Sequence, residues 1–151
     1  MTSKQSVRSI EAEDKALIFL HIPKTGGTTL HSIIGRQYAP KVTFTILGFD
    51  LPQRIKEFLA LPPEQREKIR LLKGHIPYGL HKHLSVPATY ITILRDPVDR
   101  IISLYYYILK SPQHHLHHEI ISRHMNLTDY VRSGLSMAVT SDQTLSTAPR
   151  K

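Results

Sequence analysis

Apolar positions along the chain form short dense runs that are separated by longer segments with helical spacing. The dense runs predict buried β-strands at 16–21, 42–46, 71–75 and 90–94. Apolar residues that recur every three or four positions predict helices at 28–37, 51–61, 63–69, 97–109, 115–124 and 128–132. Strands that alternate with helices indicate an α/β fold, in which helices cover both faces of a central parallel sheet.

The two ends of the chain differ from this periodic centre. Residues 1–14 are polar and mixed in charge, and residues 136–151 show no periodicity, so both are predicted to be disordered. Residues 15–135 are predicted to form one domain. No run approaches the ~20 apolar residues of a membrane-spanning helix. The N-terminus also lacks the apolar core of a secretory signal, so we expect a soluble, cytoplasmic protein.

Composition narrows the choice of partners. Lysine and arginine number 20 against 12 acidic residues, and the formal net charge of +8 favours anionic partners such as nucleotides and acidic glycans. No recognised nucleic-acid-binding module accompanies this charge, so a nucleic-acid partner is not expected. The chain has no cysteine, which excludes disulfides and thiolate metal sites.

A glycine turn follows the first predicted strand and leads into the first predicted helix. Such a turn directs backbone N–H groups and the positive end of a helix at one point, which makes an anion site. Lys24 adds a charge there, and threonine hydroxyls flank Gly26 and Gly27. In a Walker A motif the lysine follows the glycines, whereas Lys24 precedes them, so the loop suits a smaller anion. The alternative is an ordinary turn with a solvated lysine.

A second motif spans the end of the last predicted strand and the start of the next helix. Arg95 can grip a phosphate bidentately, and Asp96 suits the positive end of the helix. Ser103 follows eight residues after Arg95, about two helical turns on, so both contact one anion only if Arg95 reaches back over the helix. The alternative is a helix cap with a surface salt bridge.

Histidines supply candidate bases, because their pKa lies near neutrality. His75, His81 and His83 follow the third predicted strand, and the pattern does not decide among them. The cluster at 114–118 is interpreted as a solvated helix face, in which His114 and His118 are spaced to chelate a metal adventitiously. No resident metal is predicted. The tyrosines at 105–107 are interpreted as helix core with Tyr106 outward, the alternative being a surface on which a base stacks.

The two anion motifs, in this order, resemble those of sulfotransferases. HIPKTGGTTL, at 21–30, resembles their 5′-phosphosulfate-binding loop, and ITILRDPVDRIISLYYY, at 91–107, resembles their 3′-phosphate-binding strand and helix. KGHIPYGL, at 73–80, resembles the histidine-bearing loop. The likeness covers roughly 16–110 and is greatest to the branch with the heparan sulfate 2-O- and 6-O-sulfotransferases and their bacterial relatives.

This resemblance implies a fold, a donor and a reaction. The fold is a three-layer, P-loop NTPase-like α/β fold, and the donor is 3′-phosphoadenosine-5′-phosphosulfate (PAPS), used without a metal. The enzyme would transfer the sulfuryl group to an acceptor hydroxyl, for which the basic charge suits an anionic glycan. His75 would be the catalytic base, Lys24 would also be catalytic, and Arg95 and Ser103 would bind the 3′-phosphate. The 5′-phosphosulfate would be held by Lys24, Thr25, Gly26, Gly27, Thr28 and Thr29.

Two other functions remain open. The chain is short for this family, so it is alternatively a C-terminally truncated remnant that binds PAPS or its 3′,5′-bisphosphate product without catalysis. The third candidate is an ATP-using kinase or NTPase. The position of Lys24 and the lack of an evident Mg²⁺-binding carboxylate near the loop weigh against it.

Overall fold

A computed structural model describes residues 15–47 and 51–136 of the chain. The lead predicted at 1–14 and, apart from Ser136, the tail predicted at 136–151 lie outside the described residues. The described residues group into two compact units. Among the described residues, the first unit contains 15–22, 26–47 and 51–93, and the second contains 23–25 and 94–136. The domain boundaries at 15 and 135 stay predictions.

The first unit is built on a parallel sheet of four strands. In space the strands follow the order β2-β3-β1-β4, and every neighbouring pair is parallel. This sheet confirms the predicted α/β class. The strands are β1 (Ala16–Leu20), β2 (Thr43–Ile46), β3 (Leu71–Gly74) and β4 (Ala88–Ile91).

Helices cover both faces of this sheet. Successive strand residues point to opposite faces. Ile18 accordingly packs in a core cluster with Phe58 of α2 (Leu51–Leu59), whereas Phe19 packs with Ile34 of α1 (Gly27–Gly35). All four side chains are buried, and each contributes on the order of 1.5–3 kcal/mol of transfer free energy. The unit therefore has the three layers predicted for the fold, and a short third helix, α3 (Pro63–Arg66), precedes β3.

Strand β4 lies earlier in the chain than the run at 90–94 predicts. It pairs with β1 in a register that sets Ala16 opposite Ala88 and Phe19 opposite Ile91. The pairing of β4 with β1 therefore stops near the end of β1. Directly after β4, the Thr92 hydroxyl donates to the Leu20 carbonyl at 2.8 Å. Hydrophobic content locates the strand only roughly, because the length of its partner fixes its end.

The second unit is helical. Its core joins side chains from α4 (Pro97–Lys110), α5 (His117–Ser122) and α6 (Leu127–Arg132). Asp96 caps α4 by accepting hydrogen bonds from the backbone of Val98 and Asp99 at 2.9 and 3.0 Å. In the described ranges, 15–47 and 51–136, no helix has both the length and the apolar character that crossing a membrane requires.

The tyrosines at 105–107 divide between core and surface. Tyr105 is buried, as predicted, and its hydroxyl donates to the Met125 carbonyl at 2.9 Å. Tyr106 is 53% exposed and Tyr107 is 43% exposed. Two of the three rings are therefore available at the surface of α4, where one had been expected.

Candidate functional site

The turn between β1 and α1 has an unusual backbone. Lys24 and Gly26 both adopt positive φ, of 68° and 83°. Gly26 takes this conformation at little cost, whereas a left-handed lysine costs on the order of 1–3 kcal/mol and persists only where its surroundings hold it. Strained backbone of this kind clusters at functional sites, which draws attention to Lys24.

Helix α1 begins without a side-chain cap. Gly26 is its N-cap residue, and none of the residues in its first turn, all within the described part of the chain, is acidic. Its first N–H groups and its positive dipole end therefore have no side chain to neutralise them. Thr28 and Thr29, in the same turn, are exposed, whereas Thr25 is buried. An anion is the natural ligand of such a terminus.

Glycine is required at position 27 because of the space that the His21 side chain takes up, and not because of its backbone conformation. A Cβ at this position would lie 2.2 Å from Cδ2 of His21, so only glycine lets the imidazole pack against the start of α1. His21 is the first residue after β1. The second glycine of the turn thus makes room for a histidine at the carboxyl end of the sheet.

A pocket of about 500 Å³ opens at this end of the sheet, a size typical of small-molecule sites. His21, Leu47 and His75 contribute to it from positions that directly follow β1, β2 and β3. Parallel α/β sheets bind ligands at this edge. None of the described residues around the pocket is acidic. Its lining consists of His21, Thr28, His31, Ser32, Leu47, Lys73 and His75.

His75 is held firmly in this pocket. Its backbone N–H donates to the Ile46 carbonyl at 2.9 Å. The preceding Gly74 has φ of 136°, and a Cβ there would lie 1.8 Å from the Ile46 oxygen, so only glycine allows this turn. Burial, followed by the nearby His21 and His31, lowers the pKa of His75 to about 4. His75 is therefore neutral at pH 7 and can accept a proton.

Sequence reasoning assigned no catalytic or binding role to three basic residues of the pocket, His21, His31 and Lys73. The His21 and His75 rings lie 4.9 Å apart between centroids, and Nζ of Lys73 donates to the His31 carbonyl at 3.2 Å. Nδ1 of His21 and Nε2 of His31 are buried without a hydrogen-bond partner among the described residues. Such atoms are uncommon in folded proteins and suit a pocket that binds a polar ligand.

The other candidate bases lie elsewhere. The Tyr90 hydroxyl lies 3.1 Å from Nδ1 of His81 and accepts from the backbone N–H groups of Gly79 and His81 at 3.1 and 3.3 Å. His83 is exposed, and neither His81 nor His83 lines the pocket. The structure thus brings His75 together with His21 and not with either of the later histidines.

In the second unit, Lys24 and Arg95 meet. Nη1 of Arg95 donates to the Lys24 carbonyl at 3.4 Å, and Nη2 of Arg95 lies 3.8 Å from Oδ2 of Asp99. The side chains of this ion pair are 41% and 62% exposed, so the pair adds little stability and can exchange for another anion. Ser103 lies about one helical turn after Asp99 on α4, and joint binding of one anion by Arg95 and Ser103 stays a prediction.

The histidine cluster at 114–118 is not one helical face. Helix α5 begins only at His117, so His114 and His118 do not occupy successive turns of a helix. The His114 and His115 rings stack at 4.5 Å, and Nδ1 of His117 lies 2.7 Å from the Ile108 carbonyl. Within residues 15–47 and 51–136, no group of three or more histidine or carboxylate side chains is arranged to hold a metal ion.

Comparison with known proteins agrees with these motifs. A family model described as the sulfotransferase family matches residues 8–144. The chain is 24% identical over 119 residues to heparan sulfate 2-O-sulfotransferase hst-2 of Caenorhabditis elegans, an alignment that covers 72% of this chain and 36% of that protein. It is 28% identical over 118 residues to a protein-tyrosine sulfotransferase of Arabidopsis thaliana, an alignment that covers 77% of this chain and 22% of that protein. The chain thus spans well under half the length of either relative, and no solved structure gives a significant match.

Proposed function

Because this chain belongs to the sulfotransferase family, we propose that it binds PAPS and transfers the sulfuryl group to an acceptor hydroxyl. One observation carries the proposal: the uncapped start of α1 directly follows a lysine-bearing glycine turn, and its first-turn Thr28 lines the same pocket as His75. The helix terminus would bind the anionic donor, and the neutral histidine would accept a proton from the acceptor hydroxyl.

The residues present fit a donor that carries anionic groups at two positions. The first-turn N–H groups of α1 and the exposed Thr28 and Thr29 hydroxyls are donors, and Lys24 is a cation in the preceding turn. They would hold the 5′-phosphosulfate, together with Thr25, Gly26 and Gly27. Arg95 and Ser103 would hold the 3′-phosphate, with Arg95 giving up its exposed pair with Asp99.

The bound donor would supply an activated sulfuryl group with a bisphosphate as its leaving group. The protein's part is mainly electrostatic. A sulfuryl group carries less charge than a phosphoryl group, so the Lys24 ammonium and the α1 amides can neutralise the charge that grows on the leaving oxygen. Preorganised donors of this kind need no rearrangement at the moment of reaction.

His75 would take the proton from the acceptor hydroxyl. Its pKa of about 4 keeps it neutral at pH 7 but makes it a weak base. Negative charge brought into the pocket raises this pKa, because it stabilises the imidazolium form. Donor binding would thereby bring the base closer to neutrality. The His21 ring, which contacts the His75 ring and packs at Gly27, would orient it.

We propose a carbohydrate hydroxyl as the acceptor. The net charge of +8 and the presence of Lys73 with three histidines around the pocket favour an anionic glycan. The two relatives are named for heparan sulfate and for protein tyrosine, so a tyrosyl hydroxyl is the alternative acceptor. Incubation of the chain with sulfur-labelled PAPS and either desulfated heparan chains or acidic tyrosine peptides compares the two. Label in the glycan supports the proposal, and label only in the peptide contradicts it.

A second candidate function is donor binding without turnover. Calorimetry with adenosine 3′,5′-bisphosphate separates the candidates when combined with the transfer assay. Binding with transfer supports the enzyme, and binding without transfer to either acceptor supports the remnant. Absence of binding contradicts both. Mg²⁺-dependent ATP hydrolysis would instead favour the kinase or NTPase.

A further inference from the structure

Lys24 makes a second contact in its unit that the functions considered so far do not use. Its Nζ lies 4.4 Å from the centroid of the Tyr107 ring. An ammonium at this distance is attracted by the negative face of the aromatic ring. Tyr107 belongs to α4, twelve residues after Arg95, and its ring is 43% exposed. The same segment of chain therefore contacts Lys24 through both Arg95 and Tyr107.

These two contacts hold Lys24 at opposite ends. Arg95 donates to the backbone carbonyl of Lys24 at 3.4 Å, and the Tyr107 ring receives the ammonium. The Lys24 backbone is in the left-handed region, with φ of 68°. Because a lysine does not hold this conformation without support, contacts at both ends account for its persistence.

We propose that Tyr107 is a positioning residue that holds the Lys24 ammonium ready for the anionic donor. This inference rests on the proposed function. A free lysine side chain loses rotamer entropy when it is fixed. The ring restricts the side chain before the donor arrives, which lowers this cost. It covers one side of the ammonium, so N–H groups remain free to donate to donor oxygens.

The chain provides a matched control for this contact. Tyr106 is the adjacent residue of α4, is 53% exposed, and has its ring contact with Tyr105 at 5.4 Å. Tyr107 also meets the His114 ring edge-on at 6.0 Å. Variants that keep the size of the Tyr107 ring retain its packing against His114 while they change its attraction for the Lys24 ammonium. They therefore distinguish the two contacts.

The test is calorimetric titration of the full chain with adenosine 3′,5′-bisphosphate at fixed ionic strength. Tyr107→Ala should weaken binding roughly two- to fivefold, the value of a partly exposed cation–π contact. Tyr107→Phe should retain most of the affinity, and Tyr106→Ala should change nothing. In a Lys24→Ala background, Tyr107→Ala should have no further effect. Phenylalanines with one, two and three ring fluorines at position 107 should weaken binding stepwise, because fluorine withdraws electrons from the ring at nearly constant size.

The failures are distinguishable. If the wild-type chain does not bind the bisphosphate, the proposed function fails and this inference fails with it. If the wild type binds while Tyr107→Ala binds equally or more tightly, only the role of Tyr107 is wrong. A loss that persists in the Lys24→Ala background, or an affinity that ignores ring fluorination, also contradicts it. The fluorinated series decides the matter even if the alanine variant does not fold.

Discussion

The imidazole rings of His21 and His75 lie 4.9 Å apart at the carboxyl edge of the parallel sheet. Strands β1 and β3 are neighbours there, with Leu20 opposite Gly74, so the residue after each strand emerges at the same point. His21 also packs at Gly27, the first residue of α1. One histidine therefore contacts both the proposed base and the start of the proposed anion-binding helix.

Replacement of His75 by alanine should remove the general base. We expect kcat to fall roughly 100- to 10,000-fold, with little change in affinity for the bisphosphate. His81→Ala is the control, because His81 contacts Tyr90 and does not line the pocket. Transfer of labelled sulfate, measured with the acceptor that the wild type uses, checks this. An inactive His81→Ala beside an active His75→Ala would reverse the assignment.

Burial of His75 should make stability depend on pH. Its pKa of about 4 lies below the ordinary histidine pKa of 6.5, so the unfolded state binds more protons between these two values. The free energy of unfolding should therefore decrease as pH falls from about 6.5 to 4. Titration of His75 contributes at most about 3 kcal/mol to this decrease. Urea unfolding of His75→Asn should show a flatter profile across this window. Exposed His83→Asn should follow the wild type, and identical profiles for all three proteins would contradict the burial of His75.

Gly74 should tolerate no side chain. A Cβ would lie 1.8 Å from the Ile46 oxygen, and φ is 136°, so Gly74→Ala should cost about 3 kcal/mol or more in the free energy of unfolding. Gly79→Ala is the matched control, because Gly79 also has a positive φ, of 113°, but no atom lies within 4 Å of an added Cβ. Urea unfolding should show a clearly smaller decrease in the free energy of unfolding for Gly79→Ala. Equal losses would mean that the close approach to Ile46 is not the cause.

Much of this fold follows from local patterns in the sequence. A short apolar run bounded by turn residues predicts β1, and helical spacing after a glycine turn predicts α1. The candidate anion loop could be located for the same reason, since Lys24, Gly26 and Gly27 are adjacent in the chain. Arg95 and Asp96 likewise mark the start of α4, where Asp96 acts as the N-cap.

Long-range placement could not be predicted in this way. The pocket that joins His21 to His75 depends on the register of β1 with β3, which spacing does not reveal. The contact of Lys24 with Tyr107 depends on tertiary packing in the second unit. Helix α6 begins at Leu127, one residue before the predicted start at 128, because Asn126 caps it in a capping box with Asp129.

We propose that Lys24 and Arg95 bind one nucleotide donor. The affinity for adenosine 3′,5′-bisphosphate, measured by calorimetry, tests this, with Arg123→Ala as a control that removes the same charge from a residue paired with Glu119. We predict that Lys24→Ala and Arg95→Ala each weaken binding roughly 10- to 100-fold, since each removes a charged hydrogen bond. Arg123→Ala should bind like the wild type. Unchanged affinity in both Lys24→Ala and Arg95→Ala would contradict the assignment of the donor site.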